Sequence, residues 1–215
     1  MAETVIPAGT VKLGGDLNIP SGAQGIVIFA HGSGSSRHSR RNQFLARELQ
    51  KAGLGTLLMD LLTEEEEERD AVTAELRFDI RLLAARVTQA TDWLKRQEQA
   101  LELRLGYFGS STGAAAALIA ASTRGEEIAA VVSRGGRPDL ADAALPQVLA
   151  PTLLIVGGAD EVVLELNRQA LARMDGTRHH HLVIVPGATH LFEETGALEQ
   201  VARLAADWFK THLAS

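Results

Sequence analysis

Gly109-Ser110-Ser111-Thr112-Gly113 joins an apolar run with strand character, Leu101 to Phe108, to a small-residue run with helix character, Thr112 to Thr123. A strand that becomes a helix across so short a link must bend sharply, and glycines on either side let neighbouring backbone approach closely. The bend strains its central residue and lifts the Ser111 hydroxyl clear of the strand ends. The helix that follows adds a partial positive charge beside it. Only this frame fits, because centring on Ser110 would put Phe108 and Thr112 where the glycines belong. A plain turn that happens to contain Gly and Ser is the alternative; the strand before and the helix after favour the chemical reading.

Outward from this segment, apolar runs alternate with helical patterns. Val11 to Ile19, Gly25 to Ala30, Leu54 to Leu61, Ile128 to Ser133, Thr152 to Val156 and His180 to Val185 read as strands. Several are short and nearly all apolar, as strands buried on both faces are. Asn42 to Ala52, Thr73 to Gln99, Val162 to Met174 and Leu198 to Leu213 read as helices, the second with Leu76, Ile80, Leu83, Val87 and Leu94 at buried spacing. Such alternation predicts a mainly parallel sheet covered on both faces, with the N-terminal strands pairing antiparallel at one edge. In sheets of this kind ligands bind outside the carboxyl ends of the strands, so the loops after each strand hold the candidate chemistry.

A serine hydroxyl is a poor nucleophile at neutral pH and needs a base. Of the seven histidines, His190 follows the last strand, in Pro186-Gly187-Ala188-Thr189-His190, and lies on the required side of the sheet. His31 is its main rival. The run His179-His180-His181 reads as a strand entrance. A metal site there is the weaker reading, because adjacent strand residues face opposite ways. The base in turn needs a carboxylate to fix its tautomer. Asp160, after Gly157-Gly158-Ala159, is the candidate, ahead of Glu161, Asp139 and Asp142. Its competing role is an N-cap for the helix that follows. The order Ser111, Asp160, His190 favours the catalytic role. Backbone donors for an oxyanion are expected from the N–H of Thr112 and from the loop His31-Gly32-Ser33-Gly34-Ser35-Ser36, where Ser33 is preferred to Gly34. That loop lacks the Lys-Ser/Thr ending and the glycine spacing of nucleotide-binding loops.

Composition narrows the choice. At 215 residues and 46% hydrophobic, the chain suits a single domain spanning 1–215 with a sizeable core. Aromatics make up only 4%, so Ala, Leu, Val and Ile must do most of the packing. The net charge of −6 argues against nucleic-acid binding. With no cysteine, disulfides, thiolate catalysis and cysteine-ligated metals are excluded. No run approaches a membrane span and the N-terminus lacks a signal-peptide pattern, so a soluble, cytoplasmic protein is expected.

The segments Phe29 to Ser36, Gly109 to Gly113, Gly157 to Asp160 and Gly187 to His190 together resemble the α/β-hydrolase superfamily, and more narrowly small dienelactone-hydrolase-like proteins, including those fused or adjacent to phosphoribosyltransferases. The resemblance implies a mostly parallel sheet of about eight strands flanked by helices on both faces, without a separate lid domain. It implies Ser111, Asp160 and His190 as triad, Ser33 and Thr112 as oxyanion donors, and no metal or organic cofactor. Dienelactone hydrolases proper use a cysteine nucleophile, so the serine here shifts the expected reaction toward general hydrolysis of esters or thioesters, with a small-molecule substrate of short acyl chain. Alternatives are a non-catalytic member that binds a ligand or partner, and a dienelactone-hydrolase-like enzyme or perhydrolase. The sequence leaves room for a homodimer. Arg134 and Arg137, in Arg134-Gly135-Gly136-Arg137-Pro138, read equally as anion-recognising residues and as a turn with solvated arginines. The acidic run Glu64 to Glu68 reads as a solvated face or, alternatively, as a flap over the site.

Overall fold

The computed structural model describes residues 2–214. Eight strands form one sheet: β1 (Ala2–Ala8), β2 (Val11–Asn18), β3 (Gly25–Ala30), β4 (Gly55–Met59), β5 (Arg104–Ser110), β6 (Ile128–Arg134), β7 (Thr152–Gly157) and β8 (His180–Val185). Their spatial order is β1-β2-β4-β3-β5-β6-β7-β8. The β1–β2 and β2–β4 pairs are antiparallel and the rest are parallel. The six strands from β4 to β8 therefore deliver their carboxyl ends, and the loops that follow, to one rim.

Six α-helices cover the sheet: α1 (Arg40–Lys51), α2 (Glu64–Thr73), α3 (Ile80–Leu94), α4 (Thr112–Arg124), α5 (Glu161–Arg173) and α6 (Ala197–Leu213). Side chains alternate across β3, with Ile26 and Ile28 packing toward α3 and α4 while Val27 and Phe29 pack toward α1 and α6. Each face thus has its own apolar core, as a buried parallel sheet requires. Helix α4 is Ala-rich and buried nearly all round, which lets its axis lie close against the sheet. Among the described residues no inserted segment builds a separate lid domain.

The sequence pattern errs at three places. An additional edge strand, β1, pairs with β2 along its whole length. Strand β5 begins at Arg104 and not at Leu101, which is exposed in the preceding turn. The long helix expected from Thr73 to Gln99 is broken. Ala74 ends α2 in the left-handed region, and the Asp70 carboxylate accepts from the N–H groups of Leu76 and Arg77. Asp79 then caps α3 through the Leu82 N–H. Two local carboxylates outcompete the helical periodicity, as side-chain acceptors do at helix ends. The acidic run lies in α2. Thr63 and Glu66 form a reciprocal cap at its start, and Glu66 also meets Arg86 of α3 at 2.8 Å. The run is thus the body of a helix with side-chain contacts at both ends.

One buried polar pair ties α3 to the sheet. Thr91 Oγ1 donates to the Val87 carbonyl and receives the Tyr107 hydroxyl at 2.7 Å. Burial pushes the ionisation of Tyr107 well up. Thr91→Val leaves a buried phenol without its acceptor and should cost about 1–3 kcal/mol in urea unfolding. Adding Tyr107→Phe should restore much of that loss.

Candidate active site

The bend after β5 is strained as the sequence requires: Ser111 has φ 50° and ψ −122°. A non-glycine residue held there costs about 1–3 kcal/mol, so its surroundings must hold it. They do so through backbone. Ser111 N–H donates to the Arg134 carbonyl at 3.3 Å, and its own carbonyl accepts from Ala114 at 3.1 Å and Arg137 at 3.0 Å. Both flanking glycines are close-approach sites. A Cβ on Gly109 would enter the backbone of Gly113 and Ala114, and one on Gly113 would enter the carbonyls of Ala30 and His31.

Asp160 and His190 meet across the loops after β7 and β8, with Asp160 Oδ2 2.7 Å from His190 Nδ1. Asp160 stands at the N-cap position of α5, yet its side chain makes no cap bond. The carboxylate meets the imidazole and not the N–H groups of the helix it precedes. The loops are laced together by Gly158 N–H to the Val185 carbonyl at 2.8 Å and Ala159 N–H to the Ala188 carbonyl at 3.0 Å. Two residues beyond His190, Phe192 turns back with φ 55° and buries its ring, anchoring the loop.

His190 and Ser111 both border the β6 loop. A Cβ on Gly135 would lie 3.1 Å from the His190 carbonyl and 3.6 Å from the imidazole Cε1, and Gly135 directly follows the Arg134 carbonyl that holds Ser111. No direct hydrogen bond joins the Ser111 hydroxyl to the ring among the described residues. Such bonds are often looser before a substrate binds.

The expected oxyanion donors differ from each other. Thr112 N–H opens α4 and has no acceptor among the described residues. Ser33 N–H donates to Thr112 Oγ1 at 3.0 Å, and the two hydroxyls lie 3.0 Å apart. The loop after β3 is therefore pinned to the residue after Ser111, with its N–H occupied by a hydroxyl. Beside this loop a cavity of about 660 Å³ opens toward α2 and α3, lined by Ser33, Leu61, Leu62, Glu67 and Leu83. Neither Ser111 nor His190 lines it, so it adjoins the bend on the Ser33 side.

His31, the rival base, has a structural place. It is buried, its Nδ1 meets the Gly32 carbonyl at 2.9 Å, and its Nε2 accepts the Leu61 N–H at 3.0 Å. That pattern requires the neutral ring with its proton on Nδ1. The run His179 to His181 belongs to no metal cluster, and no group of three or more His, Cys, Asp or Glu suited to a metal ion occurs among the described residues. The arginine pair divides. Arg137 grips Asp139 through two bonds of 2.9 and 2.8 Å, whereas Arg134 is buried. Asn42, Arg41 and Phe192, which crowd the same rim, carry no motif and escaped the sequence reading.

A mainly parallel sheet with a strained serine at a strand-to-helix bend, and an Asp–His pair on neighbouring loops, defines the α/β-hydrolase class. The chain belongs to the dienelactone hydrolase family, whose model matches residues 13–213. It is similar to a dienelactone hydrolase from Anabaena variabilis of known structure, with 58% identity and a TM-score of 0.96 over 99% of this chain and 97% of that one. It also resembles Est1E from Butyrivibrio proteoclasticus in fold, with a TM-score of 0.83 at 16% identity and full coverage of both chains. A Mycobacterium tuberculosis protein described as a putative phosphoribosyl transferase is 57% identical over 211 residues, which are 98% of this chain and 46% of that protein. The chain thus spans about half the length of the curated relatives it matches. No helix among the described residues is long and apolar enough to cross a membrane.

His31 carries a pH prediction. Burial lowers its pKa, against smaller opposing pulls from the Gly32 carbonyl and Asp60. The unfolded chain therefore takes up a proton near pH 6.5 that the folded chain refuses, so stability is full above that pH and falls as pH drops below it. Urea unfolding should show this fall between pH 7 and 5, and His31→Gln should flatten it. Some slope should remain in the variant, because burial also lowers His180 and His212. An unchanged slope in the variant would remove His31 from the account.

Proposed function

We propose that this chain is a serine hydrolase that cleaves small carboxylic esters or thioesters, with Ser111 as nucleophile, His190 as general base and Asp160 as the group that orients the base. The observation that carries this reading is the 2.7 Å contact between Asp160 and His190 Nδ1, made by a carboxylate that forgoes its helix cap. It fixes the proton on Nδ1 and leaves Nε2 free to accept one.

Ser111 Oγ attacks the ester carbonyl while its proton passes to His190 Nε2. The carbonyl electron pair moves to oxygen, and the tetrahedral oxyanion is held by the N–H of Thr112 and that of Ser33. In the latter place the oxyanion takes over the position that the Thr112 hydroxyl holds in the resting structure. Each such donor contributes about 3 kcal/mol to the transition state. The C–O bond to the leaving group breaks, and the alcohol departs with the proton from His190. Water, deprotonated by the same imidazole, then cleaves the acyl-enzyme and regenerates the Ser111 hydroxyl. The family assignment and the likeness to a dienelactone hydrolase support a hydrolytic reaction. The serine supports esters, since acyl transfer to a hydroxyl is the chemistry that this constellation performs.

A fluorophosphonate probe tests the reading. Labelling of the wild type, its loss in Ser111→Ala and a fall of about 10⁴-fold or more in ester turnover are expected. Absence of labelling in the wild type would favour a member of the fold that only binds a ligand. Among p-nitrophenyl esters, turnover should be faster for acetate and butyrate than for long acyl chains, because no inserted segment among the described residues builds a lid over an extended alkyl group; faster cleavage of the long chains would contradict this.

A further inference from the structure

Helix α5 carries a buried amide that the ester chemistry described above does not use. The inward side of the helix is Val163, Leu164, Asn167 and Ala170. Asn167, 0% exposed, stands where that pattern calls for an apolar side chain. Its Nδ2 donates to the Gly136 carbonyl at 3.0 Å and to the Val163 carbonyl at 2.8 Å. Both acceptors are carbonyl oxygens, so only the amino end of the amide can face them. Its Oδ1 is buried and has no partner among the described residues. An acceptor buried without a donor is destabilising, and an apolar side chain would not carry that burden. The reason for an amide here therefore lies in what Nδ2 holds.

It holds one peptide unit of the loop after β6. The Gly136 carbonyl and the Arg137 N–H belong to the same plane, and that N–H donates to the Ser111 carbonyl at 3.0 Å. The Ser111 carbonyl and the Thr112 N–H share the next plane, and the Thr112 N–H is the oxyanion donor of the proposed reaction. A line of donors and acceptors thus runs from Asn167 through two peptide units to Thr112. Each bond in such a line polarises the next. A rotation of either plane would turn the Thr112 N–H away from its target. The first plane is also closely packed, since a Cβ on Gly136 would run into Ser133 Oγ and Ala114 Cβ. Two turns before Asn167, at the head of the same helix, Asp160 meets His190.

We propose that Asn167 is a positioning residue for the oxyanion site: through the Gly136–Arg137 peptide it aims and polarises the Thr112 N–H toward the developing charge. The inference rests on the hydrolase reading, which names Ser111 as the reacting residue. One helix then sets two parts of the reaction, the imidazole through Asp160 and the oxyanion donor through Asn167.

Ester kinetics and a transition-state analogue test it. Asn167→Leu removes the donor, and Asn167→Asp keeps the shape; circular dichroism checks that both variants fold. With p-nitrophenyl butyrate, Asn167→Leu should lower kcat by about tenfold or more and leave KM within about twofold, because a donor aimed at the oxyanion acts in the transition state. In Asn167→Asp, burial raises the pKa of the new carboxyl, and its protonated form can again donate to Gly136. Its kcat relative to wild type should therefore rise as pH falls from about 8 to 6, a change that a loss of packing alone would not give. 1,1,1-Trifluoropentan-2-one adds to Ser111 Oγ as a hemiketal whose oxygen takes the oxyanion position while the hydroxyl proton passes to His190. Its Ki should rise in Asn167→Leu by about the factor by which kcat/KM falls. In the ¹⁵N-labelled wild type, the same ketone should move the amide protons of Thr112 and Arg137 and the side-chain amide of Asn167 downfield together, while Val131, whose N–H is held by Pro151, stays in place. That measurement needs no variant and decides the matter should neither variant fold. Unchanged kcat in Asn167→Leu, a loss carried by KM with Ki unaltered, a flat pH ratio in Asn167→Asp, or Arg137 and Asn167 resonances that stay still while Thr112 moves would each overturn the inference. A wild type that neither cleaves the ester nor takes the fluorophosphonate would overturn the hydrolase reading and this inference with it. An active wild type with indifferent variants overturns the inference alone.

Discussion

The bend at Ser111 is the reference point from which the rest of the rim is positioned. Its backbone is strained, and the strain is held by Gly109 and Gly113, which let the first turn of α4 lie directly against the carbonyls of Ala30 and His31. From there a relay of backbone hydrogen bonds crosses the sheet. Ser111 N–H reaches the Arg134 carbonyl, Gly135 N–H reaches Ile155 of β7 at 2.8 Å, and Gly158 and Ala159 N–H reach the β8 loop. On the other side, Ser33 is tied to Thr112. Loops are ordinarily the mobile part of a fold. These are joined one to the next, so residues up to 157 positions apart share one frame, from Ser33 to His190. Preorganisation of this kind is what fixed dipoles need if they are to act on a developing charge without first reorganising.

The two histidines near this frame show how environment divides one residue type between tasks. His31 has both nitrogens committed to backbone and is buried, so its ring serves as a fixed strut between the β3 loop and the start of the segment after β4. His190 has one nitrogen committed to a carboxylate, and its side chain remains 39% exposed. Among the described residues, only the second of these two keeps a ring nitrogen without a protein partner. The difference is one of hydrogen-bond partners, which the residue's neighbours in sequence do not reveal for His31.

The sheet was largely legible because its strands are buried on both faces and read as short apolar runs ended by glycine. The Ser111 bend, Asp160 and His190 were legible because each follows such a run, at the rim where this kind of sheet places ligands. Three things were hidden. The break between α2 and α3 depends on the Asp70 and Asp79 side chains capturing backbone N–H groups, and a periodicity count gives no weight to that competition. Strand β1 has exposed positions and a proline, so it lacks the apolar signature of its buried neighbours. The contrast between Arg134 and Arg137 was hidden because burial and the Asp139 partner are tertiary facts; in sequence the two residues sit symmetrically about a glycine pair.

The rim is asymmetric, and the asymmetry bears on how a substrate lies across it. On the α2–α3 side the cavity offers the apolar side chains of Leu61, Leu62 and Leu83 beside the Ser33 loop. On the α1–α6 side stands the buried guanidinium of Arg134 against Phe192. The bend at Ser111 thus has unlike surroundings on its two sides: leucines with charges of both signs, Glu67 and Arg41 among them, on one, and a buried cation against an aromatic ring on the other. The chain carries a net charge of −6, so an approaching anion meets a repulsive field at long range. That field is screened beyond about 8–10 Å in physiological salt, whereas a guanidinium in a low-dielectric pocket is felt strongly at contact. Whatever Arg134 contributes to this rim therefore acts at short range, through one fixed hydrogen-bonding fork, and not by long-range steering.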